Sequence, residues 1–148
     1  MRGFFLSFLT LYMIAMPAFA GDHLKLNPHL DYSSDSEDGP LITGDAMDAG
    51  FAPGKPAYVL MYGEACYNSK RQARRTVELY EKYKGRVQFV IIDLDQRLTA
   101  PQEELRKKYY TGYIPHVVVL NSAGQALYNS SGEVDVAMVS QTIDKALR

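Results

Sequence analysis

From residue 53 onward the chain alternates between unbroken apolar runs and charged stretches of helical period. Ala57 to Tyr62 is apolar throughout, Val87 to Asp93 nearly so, and Ile114 to Leu120 carries only Pro115 and His116 against five apolar residues. Continuous runs of this length predict strands buried on both faces. Between the first two, Ser69 to Lys84 places Ala73, Thr76, Val77, Tyr80 and Tyr83 on one helical face, with Gly85 as its stop. Between the second and third, Thr99 caps a helix running to Tyr110. Pro101 lies in its first turn, Glu103 and Glu104 near its start, Arg106 to Lys108 near its end, and Gly112 beyond. A proline opens the third run, which proline tolerates at the first residue of a strand, and a cis peptide is one way to make a tight entry there. Ser122-Ala123-Gly124 predicts a hairpin returning through Gln125 to Tyr128. Val136, Val139, Ile143 and Leu147 then mark a closing amphipathic helix. With a weak strand at Leu41-Ile42 and a helical turn within Asp45 to Phe51, the order is β-α-β-α-β-β-α. The expectation is an α/β fold, a central mixed sheet with helices on both faces.

The first forty residues read differently. Arg2, the apolar run Phe4 to Met16 and the small-residue site Ala18-Phe19-Ala20 have the form of a signal peptide over residues 1–20. The run is short for a membrane span, so export with no stable membrane insertion after cleavage is expected, an uncleaved anchor being the alternative. That places the mature chain in the periplasm or outside the cell. Residues 21–40 carry turn signals and interspersed acids and serines, and read as an acidic flexible linker before a domain at 41–148. Residues 21–52 hold one lysine against seven acids, and residues 53–148 hold fourteen bases against ten acids. The acidic arm could therefore fold back on the basic domain, but a solvated tether is the expectation. The 148-residue chain has a net charge of −1, which gives no case for nucleic-acid binding, and no His/Cys cluster has zinc-ligand spacing. No cofactor is expected.

Chemistry concentrates at Gly63-Glu64-Ala65-Cys66-Tyr67-Asn68-Ser69-Lys70, between the first strand and its helix. Cys66 is the single cysteine of the chain. At a strand-to-helix junction it meets unpaired N–H groups that favour a thiolate. Lys70, Arg71, Arg74 and Arg75 crowd the first two helical turns. They either raise the positive potential near Cys66 or form a solvated face. Three residues after Cys66, where a second cysteine would complete C-x-x-C, stands Ser69.

Together these segments resemble the thioredoxin family over about residues 41–148. The resemblance rests on Lys55-Pro56 before a buried strand, Glu64-Ala65-Cys66-x-x-Ser69-Lys70, Asp93-Leu94-Asp95-Gln96 closing the next strand, and Gly112-Tyr113-Ile114-Pro115 before the third. It implies that Pro115 is cis and lies beside Cys66, and that the Ile114 backbone binds an extended client segment. Tyr67 and Tyr113 would add an aromatic client surface. The departures are as informative. The resolving cysteine is Ser69, the usual tryptophan is Ala65, and the loop proline is Asn68. The buried acid aligns with Leu60 and its lysine partner with Ile91. C-x-x-S also resembles monothiol glutaredoxins, but their paired glycines after the last strand are not matched.

A single thiol can attack a disulfide but cannot resolve the mixed disulfide that results. Ser69 can hydrogen-bond the Cys66 thiolate. The expected function is monothiol thiol–disulfide exchange with client protein or low-molecular-weight thiols, completed by an external thiol or reductase. The alternative is a non-catalytic binding or scaffold module. His116 could approach Cys66 as a base or ion-pair partner, but a structural role is expected, because its side chain alternates away from that of Pro115.

Overall fold

A computed structural model describes residues 20–36 and 39–148. The expected leader, apart from Ala20, and Glu37-Asp38 of the acidic arm lie outside the described residues. Nine elements follow in order: β1 (Asp22–Leu26), β2 (Ile42–Asp45), β3 (Ala57–Tyr62), α1 (Tyr67–Tyr83), β4 (Gln88–Asp93), α2 (Ala100–Tyr109), β5 (His116–Leu120), β6 (Ala126–Ser131) and α3 (Val136–Ala146). No helix among the described residues is long and apolar enough to cross a membrane.

β3 to β6 form one sheet in the order β4-β3-β5-β6. β3 runs parallel to β4 (Val59 opposite Val90) and antiparallel to β5 (Val59 opposite Val118), and β5 pairs antiparallel with β6. The sheet is mixed, with helices on both faces. On one face Tyr58, Leu60, Tyr62, Phe89, Val117 and Val119 pack with Ala73, Leu79, Tyr80 and Tyr83 of α1 and with Val139 and Ile143 of α3. On the other, Val59, Met61, Val90, Ile92 and Val118 pack with Leu105 and Tyr109 of α2. β3 and β5 are buried at every residue, because each has a strand on both edges and a helix over each face. α2 begins at a Thr99 cap: its hydroxyl takes a backbone N–H of the first turn, while the Gln102 side chain returns to the Thr99 N–H. The Ile114–Pro115 peptide is cis.

Three local expectations are corrected. α1 starts two residues before Ser69, so Tyr67 and Asn68 are helical. Ala46 to Asp48 form a turn rather than a helical one, since β2 runs on to Asp45 and Ala46 takes a φ of 51°. The largest correction concerns residues 21–40, which are not a flexible linker. β1 pairs with β2 in a second, two-stranded sheet, joining Lys25 to Thr43 and Leu26 to Ile42. Leu24 is buried in the α1 face of the core, with Leu26, Leu30 and Tyr32 packed against it. The physical reason is that these four apolar residues are spaced among the acids and serines. Each finds a place on the domain, although the segment's average composition is polar. The acidic arm does fold back on the basic domain. The Asp22 carboxylate accepts from Tyr80 Oη (2.6 Å), which in turn accepts the His23 N–H (2.8 Å).

Candidate functional site around Cys66

β3 ends at Tyr62 and α1 begins at Tyr67, and four residues bridge them. Cys66 is the N-cap of α1, with φ −87° and ψ 119°. Its N–H reaches back to the Gly63 carbonyl (3.4 Å), and its own carbonyl accepts the first helical bond, from Lys70 N (3.0 Å). Cys66 makes no side-chain cap, and α1 has no acid in its first turn. The helix start takes its acid from the arm instead: Asp35 Oδ1 accepts the Tyr67 N–H at 2.7 Å. Cys66 itself is half-buried and free. Ser69, one turn further, is fully buried, and its Oγ accepts a long bond from the Gly63 N–H (3.4 Å).

The loop before β5 comes up against this bridge. A Cβ on Gly63 would stand 2.5 Å from Ile114 Cδ1 and 3.5 Å from an Asp95 carboxylate oxygen. The absence of a side chain at residue 63 therefore permits the approach. Pro115 O accepts the Gly132 N–H at 2.7 Å, which ties the loop to the end of β6. Among the described residues no hydrogen-bond partner meets the Ile114 backbone. Tyr113 is 72% exposed and Tyr67 37%, so two aromatic side chains stand on the surface in the segments that flank the approach. His116 is buried and lies opposite Met61, on the α2 side of the sheet. Its Nε2 bonds Asn129 Oδ1 (2.6 Å), and its ring meets that of Tyr110 edge-on.

All four cations at the start of α1 find partners, and Arg71 and Arg74 stay exposed, as the solvated-face reading expects. Lys70 is 1% exposed, and its ammonium lies 2.6–2.8 Å from four oxygens: the carbonyls of Asp31, Ser34 and Ser36 and the Ser36 hydroxyl. Arg71 and Arg75 both pair with Glu133, at 3.2 and 3.1 Å. Arg74 lies over the Tyr32 ring. The helical period held the signal for Lys70: it is three residues before Ala73 and seven before Val77, on the buried stripe.

A polar cluster that the sequence reading did not identify as a site lies at the ends of β3 and β4. Leu60 and Ile91, which stand where the resemblance placed an acid and a lysine, are cross-strand neighbours in the core. The acid at this end of the sheet is the half-buried Asp93, two residues further along β4. Its Oδ2 accepts from Tyr62 Oη (2.9 Å) and its Oδ1 from Asp95 N (3.0 Å). Burial pushes the Asp93 carboxyl up to about 7, and a hydrogen bond with the Glu64 carboxyl pushes the same way. Burial and the Asp93 charge together also hold the Tyr62 phenol well above its usual range. Glu64 is buried, its N–H donating to Asp95 Oδ2 (2.6 Å) and its Oε1 accepting from Gln96 (2.7 Å). The stretch between Gly63 and Cys66 is thereby fastened to the end of β4. Beside this cluster, between β2 and the loop after β4, opens a cavity of about 370 Å³, mainly apolar, with Tyr62 and Asp93 in its wall. Cys66, Ser69, Ile114 and Pro115 do not line it. Its position is set by the arm, because β2 supplies one wall.

No family model matches the chain. The chain is 34% identical over 104 residues to a thiol:disulfide interchange protein TxlA homolog of Synechocystis. The match takes in 70% of this chain, which spans about half (53%) of that relative's length. Among solved structures, thioredoxin-2 of the malaria parasite, described as a component of its protein secretion machinery, superposes with a TM-score of 0.52 at 19% identity. It covers 62% of this chain and 82% of its own. A structure described as a malarial protein gives 0.54, also at 19% identity, over 64% of this chain and all of its own. The fold is thioredoxin-like.

Proposed function

We propose that the protein is an exported thiol–disulfide exchange protein that works through a single cysteine. The carrying observation is the position of Cys66: half-exposed, at the N-cap of α1, on the bridge that the Ile114 loop approaches through Gly63. The name of the Synechocystis relative supports thiol–disulfide chemistry. The Cys66 thiolate attacks one sulfur of a client disulfide, whose S–S bond breaks as the Cys66–client bond forms, and the other client sulfur leaves as a thiolate. The sequence holds no second cysteine. An external thiolate must therefore attack the mixed disulfide, releasing Cys66 and carrying away the client bond, with no net change in the protein.

In this reading the Ile114 backbone accepts a client segment in extended form, Pro115 shapes that groove, and Tyr67 and Tyr113 offer it an aromatic surface. Ser69 tunes Cys66 from behind. Clients are proteins or small molecules carrying thiols or disulfides, in the periplasm or outside the cell. The rival, a binding module without thiol chemistry, draws support from Lys70, held by oxygens of residues 31–36, and from Arg71 and Arg75, both paired with Glu133. Trapping separates the two. Cells expressing the protein are acid-quenched, and disulfide-linked adducts are resolved on non-reducing gels. Adducts that disappear in Cys66→Ser are expected; a wild-type protein with no such adducts overturns the exchange reading and leaves the binding module.

A further inference from the structure

We infer that residues 31–36 are a built-in clamp on the Cys66 site, with Lys70 as its latch and Asp35 as the group that restrains the thiol. The inference rests on the exchange reading only for its biological purpose, since the clamp itself is a matter of geometry.

Lys70 supplies the first observation. An ammonium removed from water needs its hydration replaced, and a lysine with 1% exposure is stable only where oxygen atoms surround it. Here four oxygens do so, and every one belongs to residues 31–36. Three are backbone carbonyls, so the segment must adopt one conformation to present them. Asp31 stiffens it further, its carboxylate accepting from Ser33 N, Ser33 Oγ and Ser34 Oγ. Tyr32 adds a contact of its own under Arg74. The segment is thus pinned onto the first turns of α1, close to the thiol.

Asp35 supplies the second. The first N–H groups of a helix have no partner within it and carry its positive end, which is what stabilises a thiolate at the N-cap. The first of these, on Tyr67, is taken by the Asp35 carboxylate. A fixed negative charge there both uses a donor and opposes a second negative charge on the adjacent Cys66 sulfur. A helix that needed only a cap could carry its own acid, as α3 does with Asp135 accepting from Met138 N (2.9 Å). At α1 the acid comes instead from a distant segment, on the far side of β2 and β3 in the chain, which can leave. Release of the Lys70 latch would uncover the bridge and withdraw the opposing charge in one movement. A client seated along Ile114 is the event that would displace it.

The test measures native labelling of Cys66 in the full chain at pH 7, each rate normalised to that of the same variant in denaturant. Two reagents are used, small iodoacetamide and a maleimide on a long polyethylene glycol chain. Asp35→Asn keeps the shape of the segment and removes its charge. It is expected to speed both reagents by about two- to fivefold, the range of one charge at a helix end. Lys70→Met frees the segment and is expected to favour the bulky reagent more than the small one. Wild-type rates retained in both variants overturn the clamp. If Lys70→Met does not fold, Asp35→Asn, an exposed substitution, decides alone. Reaction of wild-type and Asp35→Asn protein with oxidised glutathione, read as a mass increase at Cys66, tests the exchange reading separately. No glutathione adduct on either protein, together with faster labelling in the variants, leaves the clamp standing and removes the exchange role. An adduct together with unchanged labelling does the reverse.

Discussion

Lys70, buried in the first turn of α1, and Asp93, half-buried at the end of β4, both stand near the Cys66 bridge, and the protein treats them differently. The lysine meets a set of oxygens sufficient for its charge. The aspartate meets two donors and a second acid, Glu64. Burial at the end of β4 disfavours the ionised form of the Asp93 carboxyl. The interior thus stabilises the cation as an ion and the acid as a neutral group. Charge at this site is decided by how many polar groups each element can supply. The arm turns three carbonyls and a hydroxyl toward the lysine, whereas the Asp93 carboxylate meets only the Tyr62 hydroxyl and the Asp95 N–H.

Removing the cation from this comparison has the largest expected effect. Lys70→Met leaves three arm carbonyls without their donor, and the arm lets go. A loss of about 2–3 kcal/mol, the scale of hydrogen bonds to a charged group, is expected in chemical denaturation. New cleavage within residues 27–40 under limited proteolysis should accompany it. An unchanged midpoint would mean that the oxygen cage contributes no net stability.

A smaller change sharpens where the two regions meet. Gly63→Ala forces Ile114 Cδ1 to move, at about 1–2 kcal/mol for overpacking beside a well-filled core. The displaced Ile114 should weaken client adducts more than it slows Cys66 alkylation. Equal losses in both would place the residue in the fold rather than in the groove.

A third test addresses the acid. Between about pH 4 and 7 the unfolded chain releases the Asp93 proton while the folded chain keeps it. Stability therefore falls as pH rises through that window and levels off above it. Asp93→Asn is expected to flatten this part of the profile in denaturation measured from pH 4 to 8. Hydrogen bonds hold Asp31 down to about 2 and lower Asp22 as well. Those groups lose their contribution only as pH falls through the acid range, so the two effects occupy separate windows.

The elements legible in the sequence were those whose signal is local. Each apolar run became a strand within a residue or two, and the cap at Thr99 and the stripe from Ala73 to Tyr83 lie where their spacing placed them. The arm was misread because its contribution is not local. Leu24, Leu26 and Tyr32 are too widely spaced to mark an element, and their partners lie on α1 and β2. In the sequence Lys70 is one cation in a group of four; the helical stripe separates it from Arg71, but the oxygens that hold it come from the folded-back arm. Asp93 was visible as the close of a strand. Its perturbed acidity depends first on burial at the end of the sheet, to which Glu64, on the other side of α1 in the chain, adds. No short window along the sequence contains both.

The place of β3 in the sheet has a consequence for the chain during synthesis. β3 emerges before either of its neighbours. Its parallel partner β4 follows only after the whole of α1, and its antiparallel partner β5 only after α1, β4 and α2. Until both arrive, a strand buried at every residue in the finished protein has two open edges and two bare faces. A nascent chain therefore carries this apolar strand unpaired until the C-terminal half arrives, which exposes it to wrong pairing. Efficient production depends on how quickly the C-terminal half, and β5 above all, follows it into the sheet.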